Sequence, residues 1–241
     1  MVTKNQIKLI QKLQQKKYRF EHQMFVVEGK KSIIEFLHPK FEVEFILATE
    51  HFSSDLPQNK IQLTTKEELK KMSFLKNPDQ GIAVFKIPKL QSIRHEGLIL
   101  ALDDVRDPGN LGTIIRLCDW FGVEHLVCSE QSVDCYNPKV VQASMGSLTR
   151  VNVHYTDLYS FLNETPLSIF ATTMNSENVY KTSLPKDFIL IMGNEANGIS
   201  ERISKLATKN ISIPRFGALQ QAESLNVATA TAILLSEARR L

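Results

Sequence analysis

The chain has 241 residues, 43% of them hydrophobic and 23% charged, with three cysteines and a net charge of +3. That composition describes an ordinary globular protein of one large or two modest domains, able to bury a core, and excludes a disulfide-stapled miniprotein. No apolar run approaches the roughly 18 residues of a membrane-spanning helix, the longest uncharged candidate being Ser224 to Ser236.

The amino terminus turns at once into a Lys/Gln-rich stretch, without the apolar core and small-residue cleavage site of a secretory signal, which predicts a cytoplasmic protein. The basic charge is concentrated there. Within the first 31 residues Lys4, Lys8, Lys12, Lys16, Lys17, Arg19, Lys30 and Lys31 face only Glu21 and Glu28. Lysines at every fourth position, with Ile7, Ile10 and Leu13 on another side, predict an amphipathic helix over 4–17 with a cationic face. Such a face suits a phosphate backbone, making Lys8, Lys12, Lys16, Lys17, Arg19 and Lys30 candidate RNA-binding residues; a solvated helix surface is the alternative.

A short strand and turn follow at 24–29, then a helix over 30–37, strands at 43–48 and 82–87, and a helix around 66–75. This predicts a small α/β domain over 1–86. Residues 87–96 lack a clear period and contain Pro88, which suits a linker, and a second domain is expected over 97–241. There the chain alternates: strand 98–102, helix 110–121, strand 125–128, helix 138–145, strand 151–155, helix 157–162. Strands at 168–172 and 188–192, a helix from Ser200, a strand at 211–213 and a closing helix from Ser224 complete it. The alternation predicts a mostly parallel sheet with ligands bound beyond the carboxyl ends of its strands.

Three loops lie at such ends. After strand 98–102, Pro108-Gly109 makes a tight turn and Asn110 is a candidate helix cap that also offers an amide to a ligand; Arg116 projects from the helix, and Asp103 and Asp104 finish the strand and brace the loop. After strand 188–192, Gly193 and Gly198 bracket Asn194-Glu195-Ala196-Asn197 and allow close approach of backbone amides. The third loop, from Pro214 to Glu223, leads to Ser224 and Asn226 at a helix start, and is longer than a plain connection needs. Neither Gly-x-Gly-x-x-Gly nor a Walker motif occurs. The six histidines are scattered, so no metal site is expected, and Cys118, Cys128 and Cys135 lack Cys-x-x-Cys spacing and are expected to be free thiols.

Together, Asp-Pro-Gly-Asn-Leu-Gly-Thr-Ile-Ile-Arg at 107–116, Ile-Met-Gly-Asn-Glu-Ala-Asn-Gly-Ile-Ser at 191–200, and Ile213-Pro214 followed by Glu-Ser-Leu-Asn-Val-Ala at 223–228 closely resemble the SpoU or TrmH branch of the SPOUT RNA methyltransferases. The three motifs cover about 103–122, 190–201 and 211–238 in the family's order. Ile7-Lys8, Lys17 and Phe25-Val26-Val27-Glu28-Gly29-Lys30 resemble the substrate-binding domain, akin to a ribosomal-protein fold, that many members carry in front. The resemblance implies methyl transfer from S-adenosyl-L-methionine to a ribose 2′-hydroxyl of RNA. It also implies a carboxyl-terminal trefoil knot, and a homodimer with the active site near its interface. It places Gly193, Ile213, Leu225 and Thr172 at the cofactor with Asn194, and Asn110, Arg116, Glu195, Ser224 and Asn226 in the catalytic neighbourhood. The stretch 214–223 is about three residues longer than the family's compact version, and Arg215 stands where an apolar residue is usual.

The residue types suit that chemistry. A sulfonium methyl is already activated, so the protein must align donor and acceptor and manage the hydroxyl proton. Arg116 is either a base tuned by a substrate phosphate or a cation that clamps the phosphate and stabilises alkoxide charge. Ribosomal RNA is the leading substrate and transfer RNA the alternative. A non-catalytic RNA-binding or ribosome-assembly protein would not need all five catalytic-motif residues, and a nucleotide-dependent oxidoreductase lacks its fingerprint.

Overall fold

The computed structural model describes residues 2–53, 58–75, 77, 78, 80–217 and 224–240. In chain order the first elements are α1 (Lys4–Lys12), α2 (Lys16–His22), β1 (Met24–Glu28), α3 (Lys30–Phe36), β2 (Val43–Ala48), α4 (Glu50–Ser53), β3 (Ile61–Leu63), α5 (Lys66–Met72) and β4 (Gly81–Lys86). Then come β5 (Leu98–Leu102), α6 (Pro108–Trp120), β6 (His125–Ser129), α7 (Pro138–Ser144), β7 (Asn152–Thr156), α8 (Leu158–Glu164), β8 (Ser168–Asn178), β9 (Phe188–Met192), α9 (Glu201–Ser204), β10 (Lys209–Ser212) and α10 (Val227–Ala238). They form two compact units, one of residues 1–89 with 134–149, the other of 90–133 with 150–241. The sequence division at 86 and 97 therefore differs from the structure at α7. Its segment groups with the first unit, because Asp134 and Tyr136 are anchored there by contacts that local periodicity does not encode.

The first unit is a four-stranded sheet in the order β1-β4-β2-β3, antiparallel except for the parallel β2/β3 pair. Alternation along the strands separates two apolar layers. Val26, Leu47, Ile82 and Val84 pack with Ile10 and Leu13, and with Leu69 and Met72 of α5. On the other side Phe25 meets Phe36, Phe41, Phe85 and Tyr136, with ring centroids 4.7 to 6.0 Å apart.

The helix expected over 4–17 is two helices, broken where Gln15 is extended (φ −93°, ψ 134°). The break frees helix-end carbonyls, and Arg19 satisfies them: Nη1 donates to the carbonyls of Leu13 (2.8 Å) and Gln14 (2.7 Å). Its Nε and Nη2 each lie 2.7 Å from Asp134 Oδ2. Both side chains are almost wholly buried, so the pair is tied into the interior on all sides.

The second unit is a six-stranded, all-parallel sheet ordered β10-β8-β9-β5-β6-β7. Its central strands β9, β5 and β6 are buried at every position; β9 and β5 are unbroken apolar runs, as strands covered on both faces tend to be, while β6 also buries His125 and Ser129. The strand expected at 168–172 continues to Asn178, and its pairing with β10 jumps from Ala171↔Asn210 to Glu177↔Ile211. Residues 87–96 carry no helix or strand. Among the described residues no helix is long and apolar enough to cross a membrane.

Candidate active site

β5 and β9 run side by side in register, Leu102 opposite Met192, so the chain leaves both strands at the same edge of the sheet. The two loops that follow are bolted together by the aspartates after β5. Asp103 donates its amide to the Met192 carbonyl (2.9 Å), and its buried carboxylate accepts from the amide of Ser200 (2.8 Å). Asp104 takes a left-handed conformation (φ 59°), donates its amide to Ser129 Oγ (2.9 Å) and accepts at its carbonyl from Asn194 Nδ2 (2.7 Å). The bracing role expected of both aspartates is what the structure contains.

Asn194 shapes its own loop as well. Its Oδ1 accepts from the amides of Ala196 (2.9 Å) and Asn197 (3.1 Å), and its backbone exchanges two 2.9 Å bonds with Gly198. The hairpin is so narrow that a Cβ on Gly193 would fall 2.3 Å from the Gly198 carbonyl carbon and the Ile199 nitrogen. Gly193 is thus required by the chain's own backbone, and Gly198 by its φ of 67°.

The helix cap at α6 is not Asn110 as expected but Asp107, whose carboxylate accepts from the Asn110 amide (2.7 Å) ahead of Pro108 at the first turn. This leaves the Asn110 side chain available for other bonds. Its Nδ2 donates to Glu195 Oε1 (2.6 Å), and its Oδ1 accepts from Asn226 Nδ2 (2.9 Å). Asn226 caps α10, its Oδ1 accepting from the amides of Ala228 (3.0 Å) and Thr229 (3.2 Å). The cap decides the orientation of the whole row: with Oδ1 of Asn226 committed to amides, its Nδ2 must donate, Asn110 must pass the polarity on, and Glu195 must accept.

Of the five expected catalytic residues, then, Asn110, Glu195 and Asn226 form one network. Arg116 and Ser224 are exposed and make no bond to it; Arg116 has no hydrogen-bond or ion-pair partner among the described residues. Six residues separate Arg116 from Asn110 on a helix whose Leu111, Ile114, Ile115 and Cys118 are buried, a rotation of roughly 120° about the axis. Of the cofactor set, Ile213 is half-buried just after β10, Leu225 is half-exposed just before Asn226, and Thr172 bonds to the Ile191 carbonyl (2.9 Å). Ile213 and Leu225 are apolar and partly accessible, the chemistry an adenosyl group would need from its neighbours. The longer loop falls partly outside the described residues, at 218–223; within them Arg215 Nη2 approaches Met174 Sδ (3.4 Å) and Phe216 stacks on Tyr180.

Among the RNA-binding candidates, Lys8, Lys12, Lys16 and Lys17 are exposed, and Lys30 is half-buried over the Phe52 ring at 5.6 Å. Arg19 is corrected: its guanidinium is interior and committed to Asp134 and two carbonyls, so it is not an RNA contact. No periodicity could have shown this, because the acid lies 115 residues away. Cys118, Cys128 and Cys135 are buried and outside any disulfide, and burial pushes the thiols of Cys118 and Cys128 well above their ordinary range.

The SpoU rRNA Methylase family model matches residues 97–236, and the MRM3-like substrate binding domain matches residues 4–83. The 23S rRNA (guanosine(2553)-2′-O)-methyltransferase RlmP of Bacillus subtilis is 32% identical over 98% of this chain and 97% of its own length. A TrmH-family protein from Porphyromonas gingivalis superposes with a TM-score of 0.91 at 36% identity, covering 99% of this chain and 98% of its own. An AdoMet-bound rRNA methyltransferase from Sinorhizobium meliloti does so with a TM-score of 0.87 at 27% identity, covering 99% and 95%. With its open parallel sheet and the polar network at the carboxyl ends of β5 and β9, the chain is by these matches an α/β RNA methyltransferase. The chain belongs to the SpoU rRNA methylase family.

Proposed function

We propose that this chain methylates a ribose 2′-hydroxyl of ribosomal RNA, with S-adenosylmethionine as donor. The observation that carries the reading is the Asn226–Asn110–Glu195 network, set at the sheet edge where parallel α/β folds bind ligands, in a chain alike over its whole length to a 23S rRNA 2′-O-methyltransferase. When bound, S-adenosylmethionine supplies a methyl group already activated on sulfur. Ile213 and Leu225 hold its apolar part, with Gly193, Asn194 and Thr172 shaping the adjoining backbone. Asn110 and Asn226 orient the ribose, with Glu195 accepting at the end of the row and Ser224 beside it. Arg116, exposed and without an acidic partner among the described residues, clamps the neighbouring RNA phosphate and stabilises the charge that develops as the hydroxyl proton leaves. A guanidinium holds its proton too firmly to serve readily as a base, which favours that cationic role.

The first unit presents Lys8, Lys12, Lys16 and Lys17 to the RNA, with Lys30 at its margin. A homodimer belongs to the same proposal. Along α10, Val227 and Leu234 are buried in the chain's own core, leaving Ala230 and Ile233 half-buried, while Trp120 at the end of the neighbouring α6 is 83% exposed. The trefoil knot implied by the family, and a cytoplasmic location beside the ribosomal substrate, complete the reading.

The test is incubation with radiolabelled S-adenosylmethionine and, in parallel, unmodified ribosomal RNA, ribosomal particles and transfer RNA, followed by digestion to nucleosides. Label in a 2′-O-methylated nucleoside of ribosomal RNA is expected. Label confined to transfer RNA moves the substrate, and cofactor binding without label in any arm overturns the catalytic reading.

A further inference from the structure

The break between α1 and α2 does more than shorten a helix. The two helices carry five exposed lysines, Lys4, Lys8, Lys12, Lys16 and Lys17, against a single carboxylate, Glu21. The break folds three of these cations around two aromatic rings. Lys12 Nζ from α1 lies 5.2 Å from the centroid of Tyr18, and Lys17 Nζ from α2 lies 5.8 Å from the same ring. Lys16 Nζ lies 5.7 Å from the ring of Phe20, and His22 stacks on Tyr18 at 6.4 Å. Phe20 is 52% exposed, in a unit whose Phe25, Phe36, Phe52 and Phe85 are fully buried. It therefore leaves apolar surface in water amid a dense group of cations, where it adds little to the core.

That combination matches one kind of ligand. An unpaired nucleotide offers a base face to a ring and phosphates to ammonium groups, whereas duplex RNA hides its base faces in the stack. Lysines alone would bind either form; the rings have a partner only in the first. We infer that α2 reads a single-stranded segment of the RNA substrate: Phe20, with Tyr18 beside it, stacks an unpaired base while Lys12, Lys16 and Lys17 hold the flanking phosphates. Arg19 is the positioning residue of this surface, because its bonds to Asp134 and to the carbonyls of Leu13 and Gln14 set the turn that brings Lys12 to Tyr18. The inference rests on the RNA-methyltransferase reading and specifies the form of RNA the first unit takes.

Fluorescence anisotropy of the full chain with a labelled oligouridylate and with a labelled RNA duplex tests it. Phe20→Ala should weaken oligouridylate binding roughly tenfold or more, the effect of losing one base–ring stack, while leaving duplex affinity and the salt slope unchanged. Phe20→Leu, which keeps bulk without a ring, should behave like alanine, and Phe20→Tyr like the parent. Replacing Lys16 and Lys17 together by Gln should instead flatten the single-strand salt slope by about 1.4. Equal losses on both RNAs, full retention of affinity by Phe20→Ala, or rescue by Phe20→Leu each overturn the inference. Methyl transfer to ribosomal RNA, measured in parallel, separates the two readings. Transfer with Phe20→Ala binding unchanged removes only the stacking role. A selective loss of oligouridylate binding in a chain that transfers nothing supports stacking and removes the enzymatic reading.

Discussion

Asn226 and Asn110, 116 residues apart in the chain, are joined amide to amide at 2.9 Å, and the cap that Asn226 forms on α10 dictates which way both amides point. Asn226→Asp separates the two duties of that residue. An aspartate still caps α10, so the melting temperature should stay close to the parent's, but it cannot donate to Asn110. Methyl transfer should fall by about 10- to 100-fold, the loss of one positioned hydrogen bond at the reacting centre. A parent-like single-turnover rate, with the helix intact by circular dichroism, would remove the network from the mechanism.

Arg116 should show the opposite pattern to a binding residue. Its side chain is exposed and makes no hydrogen bond or ion pair with the cofactor loop or the asparagine row among the described residues. Arg116→Ala should therefore leave S-adenosylmethionine affinity within about twofold by calorimetry while lowering turnover on the order of 10² to 10³. Arg116→Lys keeps the charge without the planar fork and should recover only part of the rate. Turnover undiminished in Arg116→Ala sinks the phosphate-clamp role.

The Arg19–Asp134 pair should dominate the stability of the first unit. Arg19→Met strands a buried carboxylate and two carbonyls, and should cost about 3–5 kcal/mol in a urea melt. Adding Asp134→Leu removes the stranded charge, so the double variant should be more stable than Arg19→Met alone. A single-variant loss below about 1 kcal/mol contradicts the buried geometry.

His125 on β6 and His154 on β7 are diagonal neighbours on a parallel pair, His125 standing opposite Asn152 and His154 opposite Val127, with Nδ1 to Nε2 at 3.1 Å; both are buried, and His125 Nε2 has no hydrogen-bond partner among the described residues. One proton fits between the two facing nitrogens, so one ring donates and the other accepts. Burial above all holds His125 below its ordinary 6.5. The unfolded chain therefore takes up a proton that the folded chain refuses. Stability from this pair is fully present above about pH 6.5 and is lost as pH falls toward the lower folded value. Thermal melts from pH 8 to 5 should show a decline that His125→Gln makes shallower; parallel curves for the two proteins would exclude the pair as its source.

Much of the site was legible because its signals are local. Pro108-Gly109, the glycines at 193 and 198 and the polar residues before α10 each announce a turn or helix start within a few residues, and apolar alternation announces the parallel sheet. Even so, only tertiary structure moved the α6 cap from Asn110 to Asp107, and so showed that Asn110 is available to join Glu195 and Asn226. The basic stretch reads alike for every cation in it, yet Arg19 is interior and Lys16 is not, because the break at Gln15 and the distant Asp134 decide which side turns inward. Likewise only the pairing of β6 with β7 brings His125 diagonally next to His154, and only packing shows that Val227 and Leu234 of α10 serve the chain's own core. Composition and periodicity determined most of the elements, though not the break between α1 and α2 or the short α4 and β3, together with the parallel sheet and the loops that hold the chemistry. Which faces meet was decided by contacts between residues 29 to 116 apart in the chain, since burial and hydrogen bonding are satisfied by whatever the fold brings near and not by what lies next in the chain.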